Sequence, residues 1–369
     1  MANILVSLIS DQAIPNLEMI KEKPVDAYLF ILTKEMRGKL GWLKEAAGLN
    51  ESEIIEELIV DPFSFEDIEK RLSEVVSDDH HYLVNLTGGT KIMSLAVSNF
   101  FKDNIDCELF YIPGINDSYI RIFPGIKKPY IYFKTKITLE EYVMAYGFTI
   151  RHKGKLLNSP EQTERIFDYS LNQFNHEKDR EALIILRKKR EDKKSFPHFG
   201  DDFEVPGFLT RLQYIPENPD HLTKNEVKYL TGEWFEEYVY SLVKNHYQLS
   251  DDEIGLGWQL QKGENNTPNE FDVLYIKDKK LNIIECKTSI IASGAGFKKN
   301  IITETIYKVD SLRNNLGLFA KTNIFTLSDL NESDASIRSS IDRAKEYKIT
   351  ICGKADFQDE NFPENIFKK

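Results

Sequence analysis

The spacing of short apolar runs through residues 1 to about 135 restricts the fold most. Residues 4–9, 26–32 and 82–86 are apolar runs of strand length, and helical periodicity fills residues 40–47, 65–76 and 91–101 between and after them. Strands that alternate with helices and are apolar on both faces belong to a parallel sheet covered on both sides. Residues 108–112, and the alternating runs 119–123 and 130–134, extend this pattern with an antiparallel edge. A Rossmann-like domain is expected over residues 1–137.

The pattern changes after Thr138. Residues 139–146 and 161–174 have helical periodicity, residues 187–194 are mostly basic, and residues 197–219 are rich in loop formers. A small helical connector is expected over residues 138–222. Residues 225–247 then place Leu230, Trp234, Tyr238 and Leu242 on one helical face. Strand-like segments follow at 257–261, 270–276 and 281–287, then a helix at 302–314, a strand at 323–327, a helix at 335–345 and a strand at 348–352. This is a second α/β unit, expected over residues 223–369.

Composition narrows the function classes. At 369 residues the chain has room for two or three domains. No apolar run is long enough to span a bilayer, so no membrane partner is expected. The first residues read as a strand and lack the basic opening of a secretion signal. Three scattered cysteines, Cys107, Cys286 and Cys352, suit neither a disulfide framework nor a zinc cage, and a reducing cytoplasm is the expected location. The net charge of -11 argues against a protein that coats nucleic acid non-specifically, although an enzyme with a local basic groove remains compatible with it.

Chemistry concentrates in two places. In the second unit, Asp272 lies near the start of one strand and Glu285-Cys286-Lys287 ends the next, with Lys277-Asp278-Lys279-Lys280 as the loop between them. Residues two apart on a strand share a face, so Glu285 and Lys287 point together. A hairpin closed about that loop brings Asp272 opposite them. Two carboxylates and an ammonium suit a hard divalent ion, Mg²⁺ or Mn²⁺, and a phosphodiester under attack by water. An ion-paired, exposed strand end is the plain structural alternative.

These strings, Asn269-Glu-Phe-Asp272-Val-Leu-Tyr-Ile and Ile284-Glu285-Cys-Lys287-Thr-Ser, resemble the PD-(D/E)XK nuclease superfamily, with Phe271 in place of the proline of the motif's name. The resemblance implies a restriction-endonuclease-like fold with Asp272, Glu285 and Lys287 catalytic and the carboxylates on the metal. It also implies one more acidic ligand from the preceding helix, where Gly232-Glu-Trp-Phe-Glu236-Glu matches; Glu236 is the position carried over, with Glu233 and Glu237 as rivals. Lys298, Lys299 and Lys308 become candidates for contact with the nucleic-acid backbone.

The other place is Asn85-Leu-Thr-Gly-Gly-Thr-Lys91, which follows a buried strand and opens a helix. Glycines and a helix N-terminus suit an anion at the carboxyl end of a sheet, but neither a dinucleotide fingerprint nor a Walker A loop is present, which disfavours a dehydrogenase. A tight capping turn is the alternative. Together with Leu5-Val-Ser-Leu-Ile-Ser10-Asp11-Gln12 and Thr33, this segment resembles a CARF domain, a Rossmann-like sensor of cyclic oligoadenylates in type III CRISPR systems. The resemblance implies a homodimer that binds the ring, cyclic tetra-adenylate, through Ser10, Asp11, Gln12, Thr33, Asn85, Thr87, Gly88, Gly89, Thr90 and Lys91. The two resemblances together imply a CRISPR-associated nuclease that cuts single-stranded DNA or RNA when the activator binds. A constitutive restriction- or repair-type nuclease, and a regulatory protein with an inactive nuclease fold, are the alternatives.

Overall fold

The computed structural model describes residues 1–114, 117–127, 129–174, 177–191, 204–264, 266–294 and 297–368. The N-terminal unit contains β1 (Asn3–Leu8), α1 (Ile14–Glu22), β2 (Ala27–Leu32), α2 (Arg37–Ala47), β3 (Ile54–Ile59), α3 (Phe65–Val75), β4 (His81–Asn85), α4 (Lys91–Asn104), β5 (Cys107–Tyr111), β6 (Ser118–Phe123) and β7 (Tyr130–Tyr132). Its seven strands lie in the order β3-β2-β1-β4-β5-β6-β7. The first five are parallel, and β6 and β7 form the antiparallel edge. This is the expected Rossmann-like arrangement with one strand more than the apolar runs mark. β3 lies at the exposed edge and carries Glu56 and Glu57, so it has no buried run to announce it.

Next come α5 (Leu139–Ala145), β8 (Phe148–His152), α6 (Pro160–Asn172), α7 (Lys178–Glu191) and α8 (Glu204–Arg211). Thr138 and Glu141 form a capping box that starts α5. The segment expected to be helical also supplies a strand: β8 pairs antiparallel with the first strand of the C-terminal sheet.

The C-terminal unit contains α9 (Lys224–Lys228), α10 (Trp234–Tyr247), β9 (Ile254–Lys262), β10 (Asn269–Lys277), β11 (Lys280–Lys287), β12 (Ile291–Gly294), β13 (Phe297–Asn300), α11 (Ile302–Arg313), β14 (Lys321–Thr326), α12 (Ala335–Glu346), β15 (Ile349–Cys352), α13 (Lys354–Phe357) and α14 (Glu364–Lys368). Its six-stranded sheet runs β15-β14-β11-β10-β9-β8, while β12 and β13 form a separate ribbon. A π turn at Tyr229–Glu233 breaks the long predicted helix into α9 and α10, because Gly232 leaves helical backbone there.

One buried cluster crosses the two units. Leu5, Leu17, Phe30 and Leu40 of the first share it with Tyr142 of α5 and with Leu260, Leu274, Ile283 and Leu316 of the second. A second cluster lies on the other face of the C-terminal sheet and joins Phe167, Leu209, Phe235, Val273 and Ile284. Among the described residues no helix is long and apolar enough to cross a membrane.

Candidate functional site

The β10–β11 hairpin turns through Asp278 and Lys279, both with positive φ, and Lys277 pairs with Lys280 across them. Positive φ at both central residues matches the right-handed twist of the strands and fixes the register. Val273 then faces Ile284, and one step further Asp272 and Glu285 lie together on one face. Both are buried, at 7% and 2% exposure, in a region where water cannot screen their charge. Lys287 Nζ stands 2.7 Å from Glu285 Oε1 and 3.7 Å from Asp272 Oδ2. Asp272 Oδ2 also accepts the Cys286 backbone N–H at 2.7 Å, which fixes its rotamer.

Electrostatics sets the carboxylates apart. Burial, and then the charge of Glu285, pushes the Asp272 carboxyl well above its ordinary range. Burial would raise Glu285 too, but Lys287 and Lys308 outweigh it and hold Glu285 below its ordinary value. Lys308 Nζ lies 2.9 Å from Glu285 Oε1, so two ammonium groups share one oxygen. Lys298 and Lys299 have backbone in β13, opposite Ser293 and Ala292, but their side chains lie outside the described residues.

The three acidic residues at the start of α10 part company. Glu237 accepts the Leu157 backbone N–H at 2.7 Å and the Asn158 N–H at 3.4 Å, and so ties down the chain that follows β8. Glu233 faces Arg190 at 3.5 Å and Lys228 at 3.9 Å. Among the described residues Glu236 has neither kind of partner; burial, and then the charge of Asp272, raises its carboxyl well above the usual range. Crowding three acidic groups in a buried place is what pushes two of them toward their protonated form, a cost that a bound cation would relieve, and all the donors are hard oxygens. That donor chemistry suits Mg²⁺ or Mn²⁺. Among the described residues, however, no three His, Cys, Asp or Glu side chains are closed around one point, so a cation here requires the carboxylates to turn toward it.

In the N-terminal unit the expected nucleotide-binding residues lie at the carboxyl ends of β1, β2 and β4. Asn85 is fully buried: its Oδ1 accepts the Thr87 N–H at 3.1 Å and the Thr87 hydroxyl at 2.6 Å, and its Nδ2 donates to Asn16 Oδ1 at 2.9 Å. Thr87 Oγ1 in turn accepts the Ile112 N–H. Thr90 caps α4 by accepting from Met93 N–H and donates to the Pro62 carbonyl. A Cβ on Gly88 would sit 1.9 Å from the Leu8 carbonyl oxygen, and Gly89 has φ of 71°. The loop is therefore built tightly by its own residues, with Gly89 and Lys91 on its exposed side. Ser10 and Thr33 are half-buried, and Asp11 pairs with Lys39. Gln12 turns away: its Oε1 accepts from the Leu318 N–H at 3.2 Å and from Tyr146 Oη at 3.4 Å. Its contact with Leu318 had no signal in the sequence, because the partners are 306 residues apart.

Comparison with known proteins identifies the two domains. A family model described as the Card1 CARF domain matches residues 4–142, and one described as a Card1-like endonuclease domain matches residues 223–361. The chain joins a Card1 CARF domain to a Card1-like endonuclease domain. No curated protein matches its sequence. Among solved structures, its fold is similar to that of Can2 from Sulfobacillus thermosulfidooxidans in complex with cyclic tetra-adenylate, with a TM-score of 0.74 at 20% identity over 99% of this chain and 98% of that one. Protein VC1899 from Vibrio cholerae is similar at a TM-score of 0.74 and 18% identity, over 96% of this chain and 95% of that one. A type III CRISPR defence DNA nuclease activated by cyclic oligoadenylate gives 0.56 at 16% identity, over 88% of this chain and 45% of that one. At these identities the likeness is one of fold. It runs through both domains and the segment between them.

Proposed function

We propose that this chain is a divalent-cation-dependent nuclease for single-stranded DNA or RNA, switched on when a cyclic oligoadenylate, cyclic tetra-adenylate, binds a homodimer of its CARF domain. The observation that carries the reading is the cluster of buried Asp272 and Glu285 with half-buried Lys287, on the same chain as a Card1 CARF domain. Asp272 and Glu285, with Glu236 beside them, are the oxygen donors for the cation. A bound Mg²⁺ or Mn²⁺ would supply an activated water and neutralise charge on the phosphate. Burial lowers the Lys287 pKa, but Asp272 and Glu285 more than compensate and raise it above its ordinary value. Lys287, 2.7 Å from Glu285 Oε1, is placed to orient the attacking water or a phosphate oxygen.

In the CARF domain, Lys91 and the backbone of Gly88 and Gly89 offer charge and N–H groups to a phosphate, and Ser10 and Thr33 border the same rim. The likeness to Can2, whose structure holds cyclic tetra-adenylate, supports the choice of activator. The test is cleavage of labelled single-stranded DNA and RNA with Mn²⁺ or Mg²⁺, with and without cyclic tetra-adenylate. Cutting is expected only when cation and activator are both present. Glu285→Gln or Lys287→Ala should slow it on the order of a hundredfold or more while leaving activator binding intact. Wild-type rates in Glu285→Gln would remove the site from consideration, and equal rates without activator would leave a constitutive nuclease.

A further inference from the structure

One helix and the loop that follows it touch both ends of the proposed mechanism. α11 covers the C-terminal sheet on the face that carries Glu285, with Ile302, Ile306 and Val309 buried against Ile324, the β14 partner of Glu285. Its Lys308 holds Glu285 Oε1 at 2.9 Å. At the end of the helix, Arg313 is tied to Asp310 and to the Tyr347 carbonyl. The chain then enters a loop, residues 315–320, whose Leu316 and Ala320 are buried in the core shared with the CARF domain. Tyr142 Oη donates to the Leu316 carbonyl at 3.1 Å. Gly317 has φ of 102°, and a Cβ there would lie 2.4 Å from Tyr146 Oη. The next residue, Leu318, gives its N–H to Gln12 on the loop that follows β1.

The geometry points to a coupling arm: residues 315–320 and α11 carry a shift of the loop at residues 10–12 to Glu285, with Lys308 as the positioning residue. This inference rests on the nucleotide-gated reading above. A twelve-residue helix is about 18 Å long and moves as a unit. Its motion changes how far Lys308 occupies the Glu285 oxygen that a cation would also use. A cleft of about 1090 Å³, lined by Gln12, Tyr146 and residues 317–319 among others, leaves the loop room to move. An activator that binds the two positions of the arm with different affinity would then change cation affinity, and the effect must be reciprocal.

The test uses the full-length protein and calorimetric titration of Mn²⁺ with and without cyclic tetra-adenylate, beside cleavage rates. In the wild type the activator should change Mn²⁺ affinity by roughly fivefold or more. Tyr142→Phe, which keeps the ring and removes the Leu316 bond, and Lys308→Met should each bring that factor below about twofold while activator affinity stays near wild type. Lys308→Arg should retain it. Wild-type coupling in both Tyr142→Phe and Lys308→Met overturns the arm. An activator-dependent wild-type nuclease whose Mn²⁺ affinity ignores the activator also overturns it, yet leaves the gated nuclease standing. A wild type that neither binds nor answers cyclic tetra-adenylate removes the gated reading and the arm together.

Discussion

Gly88 and Lys91 sit three residues apart in one loop and do opposite work. Gly88 is required by the backbone, since a Cβ would lie 1.9 Å from the Leu8 carbonyl oxygen and the strand end would have to move. Overpacking of this kind costs about 1–3 kcal/mol, so Gly88→Ala should lower the melting temperature by several degrees. Lys91 is exposed at the first turn of α4. Lys91→Ala should leave the melting temperature near wild type and weaken cyclic tetra-adenylate binding about tenfold, as loss of a charge-assisted hydrogen bond would. Calorimetric titration beside a thermal melt separates the two, and a Lys91→Ala protein with wild-type affinity would take that lysine out of the binding rim. The two glycines were legible in the sequence because backbone freedom is a property of the residue type. The contacts of Asn85 with Asn16 and Thr87, and of Gln12 with Leu318, were not, because an amide suits a ligand and a neighbouring loop equally well, and only the tertiary structure shows such a partner.

The hairpin of β10 and β11 is the element whose placement the sequence conveyed best. Alternation, a polar four-residue join and a charged end were enough to bring Asp272 to Glu285, whereas β8 stayed hidden in a segment whose helices dominate the periodicity. The far end of this hairpin was not legible either. Lys279 at the turn reaches back to α1 and Asp117, with Nζ 2.6 Å from Glu18 Oε1 and 2.7 Å from Asp117 Oδ1. Burial of Glu18 outweighs this ammonium, whose approach to Oε1 is poorly aligned for a hydrogen bond, and its pKa is pushed up to about 7. The folded protein therefore keeps a proton that the unfolded chain loses from its ordinary value of 4.5 upward. The stability this proton contributes is complete at acid pH and disappears as pH rises through about 7. Between pH 5 and 8 the wild type should lose up to about 3 kcal/mol relative to Glu18→Gln, read from urea midpoints at the two pH values. Parallel pH profiles for the two proteins would show that Glu18 titrates normally.

At the scale of the molecule, hydrophobic periodicity tells which face of an element is buried but not which core that face joins. Residues 138–222 read as a connector, yet α5 packs into the cluster shared by both domains, and Phe167, Leu186 and Leu209 from α6, α7 and α8 enter the core of the endonuclease domain. Asp272, Leu274 and Ile276 alternate along one face of β10, so the strand that carries a carboxylate of the proposed site also buries its next two same-face residues in the cluster shared with the CARF domain. A boundary built from such residues cannot open without exposing leucines that are each worth about 1.5–3 kcal/mol in burial. The two domains should therefore unfold together. Calorimetry is expected to give one transition, and Leu274→Ala, at 0% exposure in the shared cluster, should cost about 2–5 kcal/mol. That loss should appear equally whether melting is followed by intrinsic fluorescence or by the loss of cyclic tetra-adenylate binding. Two resolved transitions, with Leu274→Ala moving only one of them, would mean that the shared cluster does not couple the domains, and a coupling arm running through Leu316 would then have nothing rigid to push against.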